Sequence, residues 1–236
     1  TAAYTLGFDA ALCANTCAPS KASRYFDASV RLPYRELGMR LSMLLPSDDV
    51  PLARALIDRG RLSGFRLADA SAYFVITPDV MRNARAAFFP PSQYIPSRRL
   101  NVETVHASAL ERRKDVMIYQ IGAVSVPHLD TLAFLPGALA DHMTSAGGDL
   151  LGASQMSSLK WLQAGATASY GTVSEPCSHW QKFPHPAVLL KHYLSGASAI
   201  EAYWKSVAWP AQGLFIGEPL AVPYCTSCRA TPEAAR

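Results

Sequence analysis

Groups able to do chemistry crowd into two short runs of this 236-residue chain. The first holds Asp141, His142, Thr144, Ser145, Gly147 and Gly148, and the second holds Tyr170, Glu175, Cys177 and His179. Cys177 is the candidate nucleophile, because a thiol attacks as the thiolate and forms one beside a base or a cation. His179 follows it closely, His142 is the other candidate imidazole, and Glu175 or Asp141 would orient whichever ring acts. The competing reading makes Cys177 structural, either buried or bonded to a cysteine upstream of Thr1.

The same groups weigh differently for other chemistries. Asp141, His142, Glu175 and His179 would compose a mononuclear metal site, but their spacing carries no ligand signature. If the first run is helical, Asp141 and His142 point about 100° apart and do not share an ion. No metal and no cofactor is assigned. Thr144 to Gly148 would offer backbone N–H groups to an anion or form a plain turn. Without a following Lys-Ser/Thr, its two glycines are not a P-loop. Ala168-Ser169-Tyr170-Gly171 lacks the first glycine of a nucleophile elbow. Neither G-x-G-x-x-G nor H-E-x-x-H occurs.

The cysteines leave several pairings open. Cys13 and Cys17 are close in sequence, as are Cys225 and Cys228, and Cys177 stands alone. Two short disulfides, one cross-linked set, a four-thiolate zinc site or free thiols all fit these spacings. Haem attachment is excluded because Arg229, not histidine, follows Cys228. Thioredoxin-like chemistry wants a strand before the motif and a helix after it, whereas Cys225 follows Pro219 and Pro223.

The elements that must position these groups read as alternating strands and helices. Continuous apolar runs at 72–76 and 116–121, and a small-residue run at 166–171, suit strands buried on both faces, with a last strand at 214–217. Residues 132–145 fit either a helix or a strand. Helices are expected from Ser47 to Gly60, from Thr77 to Phe89, around 106–113, and over 157–163, 186–195 and 198–209. Residues 90–101 read as a loop, 1–48 as an irregular leading segment and 221–236 as a loose tail. One α/β domain over 1–236 follows, a mostly parallel sheet flanked by helices. Ligands of such sheets bind beyond the carboxyl ends of the strands, where both reactive runs fall.

Composition narrows the function classes. Hydrophobic residues make up 50% and charged residues only 17% of the chain, which excludes disorder and coiled coil. An apolar surface is expected, covered by a protein partner, an oligomer contact or an upstream piece of the same precursor. The net charge of +4 is scattered, with no basic face for nucleic acid. No apolar stretch reaches the length of a membrane span. A start at Thr1 rather than Met suggests processing, with an export signal removed.

Longer motifs carry a resemblance. Leu135 to Gly148 (LPGALADHMTSAGG), Trp161 to Cys177 (WLQAGATASYGTVSEPC), Lys182-Phe183-Pro184, Glu201 to Val207 (EAYWKSV) and Gly217-Glu218-Pro219-Leu220 resemble an uncharacterised family of exported bacterial proteins. That family is in turn distantly similar to gingipain-type cysteine peptidases of caspase-like fold. The resemblance implies an export signal and further α/β sequence upstream, so that the sheet is incomplete on its amino-terminal side. In those peptidases one strand delivers Gly-His-Gly, the next delivers the nucleophilic Cys, and a later Gly-Asp-Pro closes the domain. Here Gly217-Glu218-Pro219 is similar to the last element, Ala123 stands at the histidine position, and Thr144 or Ser145 stands at the cysteine position. The implied function is an exported, non-catalytic binding or assembly protein on a degenerate peptidase-like fold, its pocket rimmed by His142, Ser145, Glu175 and Cys177. The alternatives are a thiol hydrolase using Cys177 with His142 or His179, and a metal-binding protein.

Overall fold

In a computed structural model, residues 1–47, 49–64, 67–152 and 154–225 are described. The apolar runs become the middle of one sheet. Strand β1 (Ala70–Ile76) and strand β4 (Val116–Gly122) are buried almost end to end. Between them in sequence lie β2 (Gln93–Ile95) and β3 (Leu100–His106). After them come β5 (Phe134–Met143), β6 (Ala168–Thr172) and β7 (Gly213–Gly217). The order across the sheet is β2-β3-β1-β4-β5-β6-β7. The strands from β3 to β6 pair parallel, and β2 and β7 close the two edges antiparallel. The molecule is thus an α/β structure with a mostly parallel sheet.

Because successive side chains of a strand point to opposite faces, each central strand feeds two cores. Ala72 and Phe74 of β1 join Leu139, Met143, Ala168 and Tyr170 on one face. Tyr73 and Val75 join Tyr119, Ile121, Ala140 and Trp161 on the other. The first face is covered by α6 (Pro186–Leu194) and α7 (Ala199–Ser206), an antiparallel pair tied by His185 N–H donating to Ser206 O at 2.7 Å. The expected capping box of Ser198 and Glu201 starts α7 and turns Tyr203 and Trp204 inward. The second face carries the short helix α5 (Leu159–Ala164), loops and, toward β7, the helix over 50–63, whose Leu56 packs with Leu162 and Ile216.

The leading segment is less irregular than its composition suggests. It holds α1 (Ala2–Leu6), α2 (Ala11–Ala14) and α3 (Pro33–Leu37), and it buries Tyr25 completely. Leu44 forms a parallel bridge to Ile216, so this segment covers the outer edge of β7. Helix α4 (Val50–Ser63) is capped by the Asp49 carboxylate, which accepts from Leu52 N–H at 2.7 Å. Gly60, expected to end it, lies inside, where a Cβ would strike the Glu218 carboxyl. In the tail, Pro223, Tyr224 and Cys225 are buried, and Cys228 lies outside the described residues.

Three expectations are corrected. The helix over 77–89 is two 3-10 turns, Val80–Asn83 and Ala86–Phe88. The Asn83 side chain bonds back to Thr77 N–H and Thr77 O, at 3.3 and 2.6 Å, and this local bonding competes with a continuous helix. The segment around 106–113 is the end of β3 and a loop, since Val102, Thr104 and Val105 suit a pleated surface. Within the presumed loop 90–101, Gln93–Ile95 adds β2 to the sheet edge. The ambiguous run 132–145 is a strand, because burial between β4 and β6 outweighs the helix preference of its Ala and Leu.

Candidate functional site

Both reactive runs do sit at the carboxyl ends of adjacent strands, β5 and β6. Their side chains, however, disperse. The strand period sends Asp141 to the α6/α7 face and His142 to the α5 face.

His142 is buried, and both of its ring nitrogens are occupied. Trp161 Nε1 donates to His142 Nδ1 at 2.9 Å. An indole N–H can only donate, so Nδ1 carries no proton. Nε2 therefore bears the hydrogen and donates to Met156 O at 2.9 Å. Burial pushes this imidazole down to about 4, with Arg85 and Arg82 adding to the effect. The ring is neutral, tautomerically fixed and unable to accept a proton from a nucleophile.

Asp141 meets Arg85 in an ion pair almost without solvent contact, at 1% and 2% side-chain exposure. Arg85 also donates to Ile121 O and Pro184 O, both at 3.1 Å, and Gln120 Nε2 donates to Asp141 Oδ2 at 2.9 Å. Burial pushes the Asp141 carboxyl up, against the pull of Arg85 and Gln120. The cluster therefore pins the ends of β4 and β5 to the segment after β1 and to the turn that starts α6.

Glu175 is equally enclosed. Its Oε1 accepts from Cys177 N–H at 3.2 Å and lies 3.8 Å from Lys182 Nζ. Lys182 Nζ donates to Thr16 O at 2.7 Å, and burial pushes the ammonium down against the attraction of Glu175. The Tyr170 hydroxyl donates to Lys182 O at 2.6 Å, and burial holds its pKa well above the ordinary range.

Cys177 is bonded to Cys17 across a separation of 160 residues. This corrects two expectations. Cys177 offers no thiolate in this oxidised form, and its partner lies within the chain, not upstream of Thr1. The sequence-adjacent pairing of Cys13 with Cys17 is also replaced, leaving Cys13 as an exposed free thiol. Cys225 is disulfide-bonded, so a four-thiolate site from the two close pairs does not form. His179 faces the same region, with Nε2 against Cys17 O at 3.0 Å and its ring edge-on to Trp209.

Among the described residues no imidazole is hydrogen-bonded to Ser145. Its carbonyl accepts from Glu175 N–H and from the Thr172 hydroxyl, at 2.8 and 3.1 Å. The Thr144 hydroxyl donates to Gln155 Oε1 at 2.8 Å and accepts from Arg82 Nε at 3.4 Å. The run Thr144 to Gly148 is not an anion cradle. Ala146 N–H goes to Gln155 Oε1 and Gly148 N–H goes to Thr172 O, at 2.7 and 2.8 Å. Gly147 and Gly148 instead permit close approach, since a Cβ on Gly148 would stand 2.5 Å from Gly171 O. The proposed metal set is divided between faces, and no group of three or more potential ligands occurs among the described residues.

The residues that organise this rim were missed from sequence: Arg85, Gln120, Trp161 and Lys182. Gln120 alone left a usable sign, a polar residue inside the apolar run 116–121. It needs buried partners there.

No family model, curated protein or solved structure matches this chain. Among the described residues no helix is long and apolar enough to cross a membrane.

Proposed function

We propose that this chain is an exported, non-catalytic binding or assembly protein built on a degenerate caspase-like sheet. The observation that carries the reading is the state of His142, whose Nδ1 and Nε2 are both committed to Trp161 and Met156. A histidine so held is a packing element of the second core. The disulfide removes the other half of a thiol mechanism and favours an oxidising compartment. The parallel strands ending in two reactive runs are compatible with the peptidase-like ancestry that the motifs suggest, and the rim then serves as a brace for that sheet.

Iodoacetamide labelling of the native protein across pH, followed by peptide mapping, tests this. Cys13 is expected to take label, and Cys177 to remain blank until reductant is added. Rapid labelling of Cys177 near neutral pH in unreduced protein would overturn the reading and restore the thiol hydrolase.

A further inference from the structure

A cavity of about 470 Å³ opens between the α6/α7 pair, the segment 28–31 and the turn that precedes β3. None of its lining residues belongs to the rim just described. Arg98 stands at the amino end of β3, and Tyr224 packs beside Pro136 near the start of β5, which places the cavity toward the amino ends of the strands. Its volume falls in the range of small-molecule sites, roughly 300–1,000 Å³.

The wall is cationic and incompletely paired. Arg31 and Arg98 both line it, and among the described residues neither has a hydrogen-bond or ion-pair partner. Lys205 adds an ammonium, oriented by Ala28 O and Val30 O and set over the Tyr25 ring at 4.2 Å. The sole acid of the described wall is Glu201, whose Oε2 is held by Ser198 N–H and the Ser198 hydroxyl. Asp27 nearby is already paired with Lys191 and accepts a hydrogen bond from His192 Nε2. The carbonyls at the end of α6 do not cancel this field, because the N–H groups of Ser195, Gly196 and Ala197 cap them.

A second, independent observation points to a ligand. Tyr224 is 2% exposed, lines the cavity, and its hydroxyl has no hydrogen-bond partner. A buried phenol without a partner is costly to the fold, and it is the kind of group a ligand oxygen satisfies. Two free guanidiniums suit planar or tetrahedral oxyanions through paired N–H donors.

We infer that this cavity binds a small organic anion, a phosphate or carboxylate whose oxygens meet Arg31 and Arg98 while a neighbouring polar atom meets the Tyr224 hydroxyl. The assignment does not rest on the rim being inert, and labelling at Cys177 would leave it untouched.

Isothermal titration calorimetry at low salt tests it, with inorganic phosphate, glycerol 3-phosphate and citrate as probes. These arms separate a phosphate ligand from a carboxylate one. At least one probe should bind, with affinity falling as NaCl rises. Arg98→Gln and Arg31→Gln should each weaken it about tenfold, the loss expected for one charge-assisted pair. Tyr224→Phe should weaken it less, and Arg112→Gln, elsewhere on the surface, should leave it unchanged. Arg31 is exposed and has no partner among the described residues, so its variant keeps the test valid if Arg98→Gln fails to fold. No heat from any probe up to about 10 mM, or wild-type affinity in both arginine variants, would overturn the assignment.

Discussion

Arg85 and Arg98 both turn inward from the sheet's connections, yet they live under different rules. Arg85 is sealed against Asp141, with carbonyls of Ile121 and Pro184 taking its other protons. Arg98 reaches a water-accessible cavity and has no partner among the described residues, beside a tyrosine whose hydroxyl is also unmatched there. The first arrangement is one that folding selects, because a buried charge survives only when paired and bonded. The second gains nothing for the fold. Gln120 Oε1 and Glu175 Oε2 of the rim are also without a partner among the described residues. An unmatched atom alone therefore does not mark a ligand site in this molecule; unpaired cations lining a cavity do.

That contrast can be broken by mutation, and the rim should give the largest response. Asp141→Ala leaves Arg85 buried and uncompensated and should cost about 3–5 kcal/mol. Urea denaturation would read this. The double change Arg85→Met with Asp141→Leu should recover much of the loss. A cost below about 1 kcal/mol for the single variant would show that the pair is not a brace. Removing the Cys17–Cys177 bond by Cys177→Ser should cost about 2–5 kcal/mol, as expected for a long closed loop. The same melts with and without reductant would check it.

The histidine gives a pH signature. Folded His142 stays neutral down to about 4, whereas its ordinary value is 6.5. Between these limits the unfolded chain binds the extra proton, so stability is full above pH 6.5 and falls as pH drops toward 4. The contribution lost is about 3 kcal/mol. His142→Asn should flatten that slope even where its overall stability is lower, and an unchanged slope would refute the assignment.

The cavity should give the smallest effects. Arg31→Gln and Arg98→Gln should each stay within about 0.5 kcal/mol of wild type without ligand. Tyr224→Phe should be neutral or slightly stabilising, since it deletes a hydroxyl that bonds to nothing. A clear loss in Tyr224→Phe would mean that the phenol serves the fold, and the comparison with the rim would fail.

How much of this was legible beforehand differs by element. Strand β1 announced itself as an unbroken apolar run, β4 as one interrupted only at Gln120, and α7 through its Ser198/Glu201 box, because these signals are local. The turns after β1 did not, because Asn83 bonding back to Thr77 is a side-chain choice that periodicity cannot register. The rim's location followed from the rule for parallel sheets. Its inertness did not, since Trp161 and Arg85 are brought to His142 and Asp141 only by the three-dimensional crossing of α5 and the segment after β1. The cavity was invisible for the same reason. Arg31, Arg98 and Tyr224 are far apart in sequence and belong to no motif.

The bond between Cys17 and Cys177 also makes the backbone a covalent ring with two free arms. A protease that nicks the chain anywhere between those cysteines yields two polypeptides that still migrate as one. Only a gel run with reductant would reveal the cut.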